Sequence, residues 1–145
     1  GWSYKYARRQ WHLVDDPTLC YHYLGDFDES MVKLLRSVKN IQKSEVIEVW
    51  HNDGDQILAF RRKDLVFVFN FNPTRSFTDY GFLVPRGAYD VVLNTDNKQF
   101  GGFGFSDDSL RHFTCADPLY AKDKKEWLKL YVPARSAVVL KRVKE

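Results

Sequence analysis

Nineteen Asp and Glu side chains, four histidines and two cysteines are the groups in this 145-residue chain that could carry acid–base or metal chemistry. Their spacing assigns most of them elsewhere. Asp15 and Asp16 belong to a helix start, Asp53 and Asp55 to a hairpin turn, and Asp107 and Asp108 to a loop. Glycosyl transfer with retention needs two carboxyl groups about 5–5.5 Å apart on rigid elements, and no such pair stands out. His12, His22, His51 and His112, with Cys20 and Cys115, show none of the close pair spacings of zinc sites, so no metal and no cofactor is expected. A Gly-x-Ser-x-Gly elbow, a P-loop and a dinucleotide fingerprint are all missing.

One pattern imitates a nucleic-acid site. VFVFNF at 66–71 and GFGF at 102–105 resemble the two sheet motifs of an RNA-recognition domain. That fold needs an amphipathic helix after its first strand, whereas residues 73–96 offer strand, Pro-x-Gly turn, strand. The longer motif also lacks its leading basic residue. Net charge is only +3, from 22 Lys and Arg against 19 acids, so no nucleic-acid partner is expected. No run is long and apolar enough to expect a membrane partner. Two lone cysteines fit a reducing cytoplasm. Gly1 in place of methionine reads as a fragment of a longer chain.

The elements that must position these groups centre on LVFVFNFNP at 65–73. Leu65, Phe67, Phe69 and Phe71 alternate with Val66 and Val68, so both faces are apolar, which predicts a central strand covered on two sides and ended by Pro73. Around it the alternation predicts strands at 46–50, 56–61, 77–84, 88–93, 112–115, 128–132 and 137–141. Gly54 is expected to supply positive φ in the 52–55 turn, and Pro85-Arg86-Gly87 to form another. Residues 94–109 read as a Gly- and Asp-rich loop and 122–126 as a charged connection.

Before residue 44 the period is helical. Tyr4, Ala7, Trp11 and Val14 mark a short helix capped by Ser3. Asp16-Pro17 starts a second, striped by Leu19, Tyr23, Phe27, Met31, Leu35 and Val38 and open to a restart at Gly25, with Asp26 and Glu29 as a capping box. The fold class expected is mainly β, an antiparallel β-sandwich preceded by a helical segment, with residues 1–43 and 44–145 as the two parts.

Several phrases together resemble the carboxy-terminal end of the 1,4-α-glucan (glycogen or starch) branching enzymes, members of the α-amylase superfamily. They are WSYKYARRQWHLVDD at 2–16, YHYLGDFDESM at 21–31, ILAFRRKDLVFVFNFNPTRSFTDY at 57–80, GAYDVVLNTDNKQFGG at 87–102 and LYVPARSAVVL at 130–140. They span nearly the whole chain in the family's order. Two departures are Phe103, where the family pattern has histidine, and a looser charged stretch before Trp127.

The resemblance implies a parent chain with an amino-terminal β module, a catalytic (β/α)8 barrel holding the nucleophile and acid/base carboxylates, and an all-β carboxy-terminal domain. This chain would then be non-catalytic, with no cofactor, and its partners would be α-glucan and the missing barrel. Residues 1–43 would be the end of that barrel, and deleting residues 1–40 is expected to leave the sheets folded. For glucan contact the expected residues are rings near turns or strand ends: Trp50, Tyr80, Phe103 and Trp127. The rival readings are a free-standing carbohydrate-binding module, for which the helical start has no use, and a purely structural support domain.

Overall fold

The computed structural model describes residues 21–95 and 109–143. The expected first helix, Cys20, and the loop bearing Phe103 lie outside the described residues. Helix α1 (Tyr21–Ser37) runs without a break through Gly25, so the restart foreseen there does not occur. A 3-10 turn (Ile41–Lys43) leads into the strands, eight among the described residues: β1 (Ile47–Asn52), β2 (Ile57–Arg62), β3 (Leu65–Asn70), β4 (Phe77–Pro85), β5 (Ala88–Asn94), β6 (His112–Phe113), β7 (Lys125–Val132) and β8 (Ser136–Val143). They form an antiparallel six-stranded sheet in the order β1-β2-β3-β8-β5-β6, and a two-stranded ribbon, β4-β7, that stacks on it.

Strand β3 is buried along its whole length, and its alternation divides the core in two. Leu65, Phe67, Phe69 and Phe71 join Met31, Ile41, Phe60 and Val139 on one face. Val66 and Val68 meet Phe82, Val84, Leu128 and Leu130 of the ribbon on the other. On the first face the rings lie in a near-parallel row, Phe60 to Phe67 at 4.7 Å and Phe69 to Phe71 at 5.8 Å between centroids, a spacing within the favourable range for offset aromatic pairs.

That first face is covered by α1. Met31 is fully buried, with Leu34, Leu35 and Val38 packed against the same cluster, the i, i+3, i+4, i+7 pattern of one helical stripe. The expectation that the sheets would stand without residues 1–40 therefore does not follow from the packing. Removing the helix would bare a row of phenylalanines to water, at about 25 cal/mol for each Å2 of apolar surface exposed.

Three local expectations are also revised. In the β1–β2 turn the left-handed residue is Gln56 (φ 60°) and not Gly54; the turn is held by the Asn52 side chain, whose Oδ1 accepts from the Asp55 N–H at 2.9 Å. The 112–115 strand shrinks to two residues and an isolated bridge between Cys115 and Trp127. The charged connection before Trp127 is instead a 3-10 segment, Pro118–Asp123, capped by Asp117, and β7 begins at Lys125 because Lys125–Trp127 pair with Leu83–Pro85 of β4.

Two asparagines tie the ends of the layers. Asn70 is fully buried, and its side-chain amide reaches the carbonyls of Arg75 (3.0 Å), Pro133 (3.0 Å) and Val132 (3.3 Å) while its Oδ1 accepts from the Asn72 N–H at 2.9 Å. Asn72 Oδ1 in turn accepts from the N–H groups of Thr74 and Arg75. The β3–β4 connection and the β7–β8 turn, far apart in sequence, are thereby one hydrogen-bonded unit.

Tyr89 of β5 is buried, and its hydroxyl donates to the Pro85 carbonyl at 2.7 Å. Burial pushes its phenol up to about 12, against the opposing pull of Arg142 and Arg61. Because the folded value lies above the ordinary one of about 10, the stabilisation is complete below pH ~10 and declines as pH rises from there through the folded value. A phenolate absorbance titration should show one tyrosine ionising near pH 12, with chemical stability falling over the same interval less steeply in Tyr89→Phe. An ordinary titration of every tyrosine near pH 10 would refute the burial argument.

Candidate functional site

The structure brings two of the four expected rings together. Strand β1 carries a bulge at Val49, so that Glu48 faces Phe60 while Trp50 faces Ala59. Strand β4 carries another between Phe77 and Tyr80, where Asp79 takes a left-handed φ of 52°. A bulge adds one residue and re-aims the side chains beside it. Here the two bulges lie on different layers, and the rings they redirect meet: Trp50 Nε1–H donates to Tyr80 Oη at 2.8 Å.

The contact continues as a chain. Tyr80 Oη–H donates to Asp55 Oδ2 at 2.9 Å, and Asp55 Oδ1 faces the Arg75 guanidinium at 3.8 Å. Arg75 also lies over the Phe77 ring, 4.8 Å from its centroid, and Phe77 meets Tyr80 edge-on at 5.3 Å. Desolvation raises the Tyr80 phenol above its usual value; the hydrogen bond from Trp50 opposes this, and Asp55 adds to it. The phenol therefore stays neutral and keeps its proton for Asp55.

The result is a half-exposed indole whose plane is fixed at its N–H edge, beside a carboxylate and a guanidinium on the same rim. Trp50 is 44% exposed. An aromatic face next to acceptors and donors suits a ligand with an apolar face and an equatorial belt of hydroxyls. Asp55, Arg75 and Phe77 were not among the residues expected at this site. Asp55 sits in a turn where any Asp would be read as turn chemistry, and only the pairing of β1 with β2 and the placing of β4 bring it to Tyr80.

Trp127 lies apart from this cluster and is held by other duties. It stands on β7 opposite Leu83, and its ring rests on Gly81, where an added Cβ would come within 3.2 Å of the indole. Its Nε1–H donates to Asp117 Oδ2 at 2.8 Å, and Tyr120 meets it edge-on. That hydrogen bond, and then the one from the Leu119 N–H, hold the Asp117 carboxyl below the usual carboxylate range. Trp127 thus anchors the 3-10 segment onto the ribbon. Phe103 lies outside the described residues.

Among the described residues no group of three or more His, Cys, Asp or Glu is placed to hold a metal ion, and no helix is long and apolar enough to cross a membrane.

Comparison with known proteins matches this fold. The family model for the alpha amylase C-terminal all-beta domain covers residues 48–143, from β1 to the end of β8. The chain is 40% identical over 141 residues to a 1,4-alpha-glucan-branching enzyme of Saccharomyces cerevisiae, covering 97% of this chain. It is 39% identical over 140 residues to that of Rhizophagus irregularis and 38% over 143 residues to that of Felis catus, covering 95% and 97% of this chain. The chain spans 20% of the length of each of these relatives. The match along all eight strands, on a sandwich of the expected class, establishes that this chain belongs to the alpha amylase C-terminal all-beta domain family.

Proposed function

We propose that this chain is the carboxy-terminal part of a cytoplasmic 1,4-α-glucan branching enzyme of glycogen or starch synthesis, itself non-catalytic, and that it offers α-glucan a contact site at Trp50. The relatives' shared name supports the parent activity, and coverage of 97% of this chain by one of them, helical start included, favours it over a free-standing carbohydrate-binding module. The catalytic carboxylates and the barrel bearing them belong to the rest of the parent chain, and residues 1–43 form that barrel's last helical segment. Cleavage and re-formation of a glycosidic bond through a covalent intermediate needs a nucleophile and a proton donor at fixed separation. Among the described residues Asp55 serves the Tyr80 chain and Asp117 caps the 3-10 segment, and the chain alone should form no new branch points on amylose.

The observation that carries the contact site is the Trp50–Tyr80–Asp55 chain, which fixes an exposed ring beside polar groups. A glucose unit would stack on the indole, with Arg75 donating to one hydroxyl and Asp55 accepting from another. Such a site is shallow and buries little area, so affinity should be of millimolar order. Titrating maltoheptaose against tryptophan fluorescence should give a saturable shift that disappears in Trp50→Ala and weakens about tenfold in Tyr80→Phe, which keeps the ring and loses the hydroxyl anchor. A response untouched by Trp50→Ala, or silence throughout the millimolar range, would leave only structural support for the barrel.

A further inference from the structure

A groove of about 1260 Å3 opens where the β4–β5 turn, the 3-10 segment, the start of β7 and the end of β8 converge. Its charged lining consists of Arg86, Lys124, Lys125 and Arg142 against Asp117 and Glu126. Both carboxylates already accept hydrogen bonds from neutral donors: Asp117 from Trp127 and Leu119, and Glu126 from the Thr114 hydroxyl at 2.6 Å. Among the described residues Arg86, Lys124 and Lys125 enter no ion pair. The groove therefore holds an excess of two positive charges that the fold does not neutralise.

Arg142 is positioned rather than trailing in solvent. Its guanidinium donates to the Arg86 carbonyl and lies along Gly87, where a Cβ would stand 2.9 Å from Arg142 Nε. An added Cβ there would force the side chain to shift, so the glycine lets Arg142 lie along the groove wall. A planar guanidinium that shares a groove lining with two lysines suits a doubly charged tetrahedral oxyanion, and a concave wall focuses that field. The volume is far more than one phosphate fills, and Pro118, Ala121 and Val143 give part of the lining an apolar character.

We propose that this groove binds a phosphate monoester carried on a sugar-sized body. The site is separate from the Trp50 rim and does not depend on the reading given above.

The test is amide-resolved NMR of the 145-residue chain, titrated at constant ionic strength with glucose 6-phosphate, glucose or inorganic phosphate. Glucose 6-phosphate should shift the Gly87, Ala121 and Lys125 amides saturably, inorganic phosphate should bind the same amides more weakly, and glucose should not move them. The double variant Arg86→Gln, Lys124→Gln changes two exposed side chains, so it should keep the wild-type spectrum elsewhere while losing about tenfold or more in affinity. No saturable shift, or an affinity unchanged in the double variant, would overturn the site. Equal affinity for inorganic phosphate would overturn the ester and assign the groove to the free anion.

Discussion

Phe69→Ala should destabilise the chain by about 3–5 kcal/mol, the usual cost of truncating a buried phenylalanine to alanine. The magnitude is expected at the upper end because Phe69 touches rings on both sides, Phe60 at 6.0 Å and Phe71 at 5.8 Å between centroids. It is 1% exposed, and neighbouring strands pin its backbone, Leu58 on β2 and Ala137 on β8. The sheet cannot collapse into the hole without breaking those pairings, so a cavity remains. Phe113 provides the control: at 69% exposed, its truncation should change stability by no more than about 0.5 kcal/mol. Equal losses for the two in urea denaturation would show that Phe69 does not occupy the shared core.

Asn70→Asp should be of comparable severity, about 3–5 kcal/mol at neutral pH, although it changes one atom. The Nδ2 group it replaces lies among three carbonyl oxygens, those of Arg75, Val132 and Pro133. An aspartate would set a buried negative oxygen against all three in place of a donor. Asn70→Ala should cost somewhat less, since it leaves unpaired dipoles rather than an unpaired charge. Because burial among acceptors raises the carboxyl's folded value, the Asp variant should recover stability as pH falls and the carboxyl protonates, while the Ala variant should not. Thermal melts of both variants across acid pH decide the matter, and parallel pH profiles would contradict the placement of the amide.

What the sequence determined by itself was the strand set and its sidedness. Alternation along Leu65–Phe71 carries both faces of the core, because a strand's side chains switch faces at every residue and no other element has that period. The 3.6-residue stripe through Met31, Leu35 and Val38 is legible for the same reason. Periodicity says which face is apolar but not what covers it. The stripe alone leaves its partner open, and the fold lays Met31 on the phenylalanine row of β3.

The Trp50–Tyr80 cluster was half legible. Trp50 and Tyr80 are rings near turns, and the sequence marks them as such; that they meet at 2.8 Å depends on two bulges, and a bulge is one extra residue with no compositional signature of its own. Asp55 and Arg75 join them only through the stacking of the ribbon on the sheet, 25 residues separating Asp55 from Tyr80. Trp127 looked equivalent to Trp50 by type and position. Tertiary structure separates them, because a ring laid on Gly81 and tied to Asp117 has already spent its face and its N–H on packing. The basic groove is the extreme case: Arg86, Lys124 and Arg142 come from three strands' ends, and no local pattern relates charges that only the closing of the sandwich brings together.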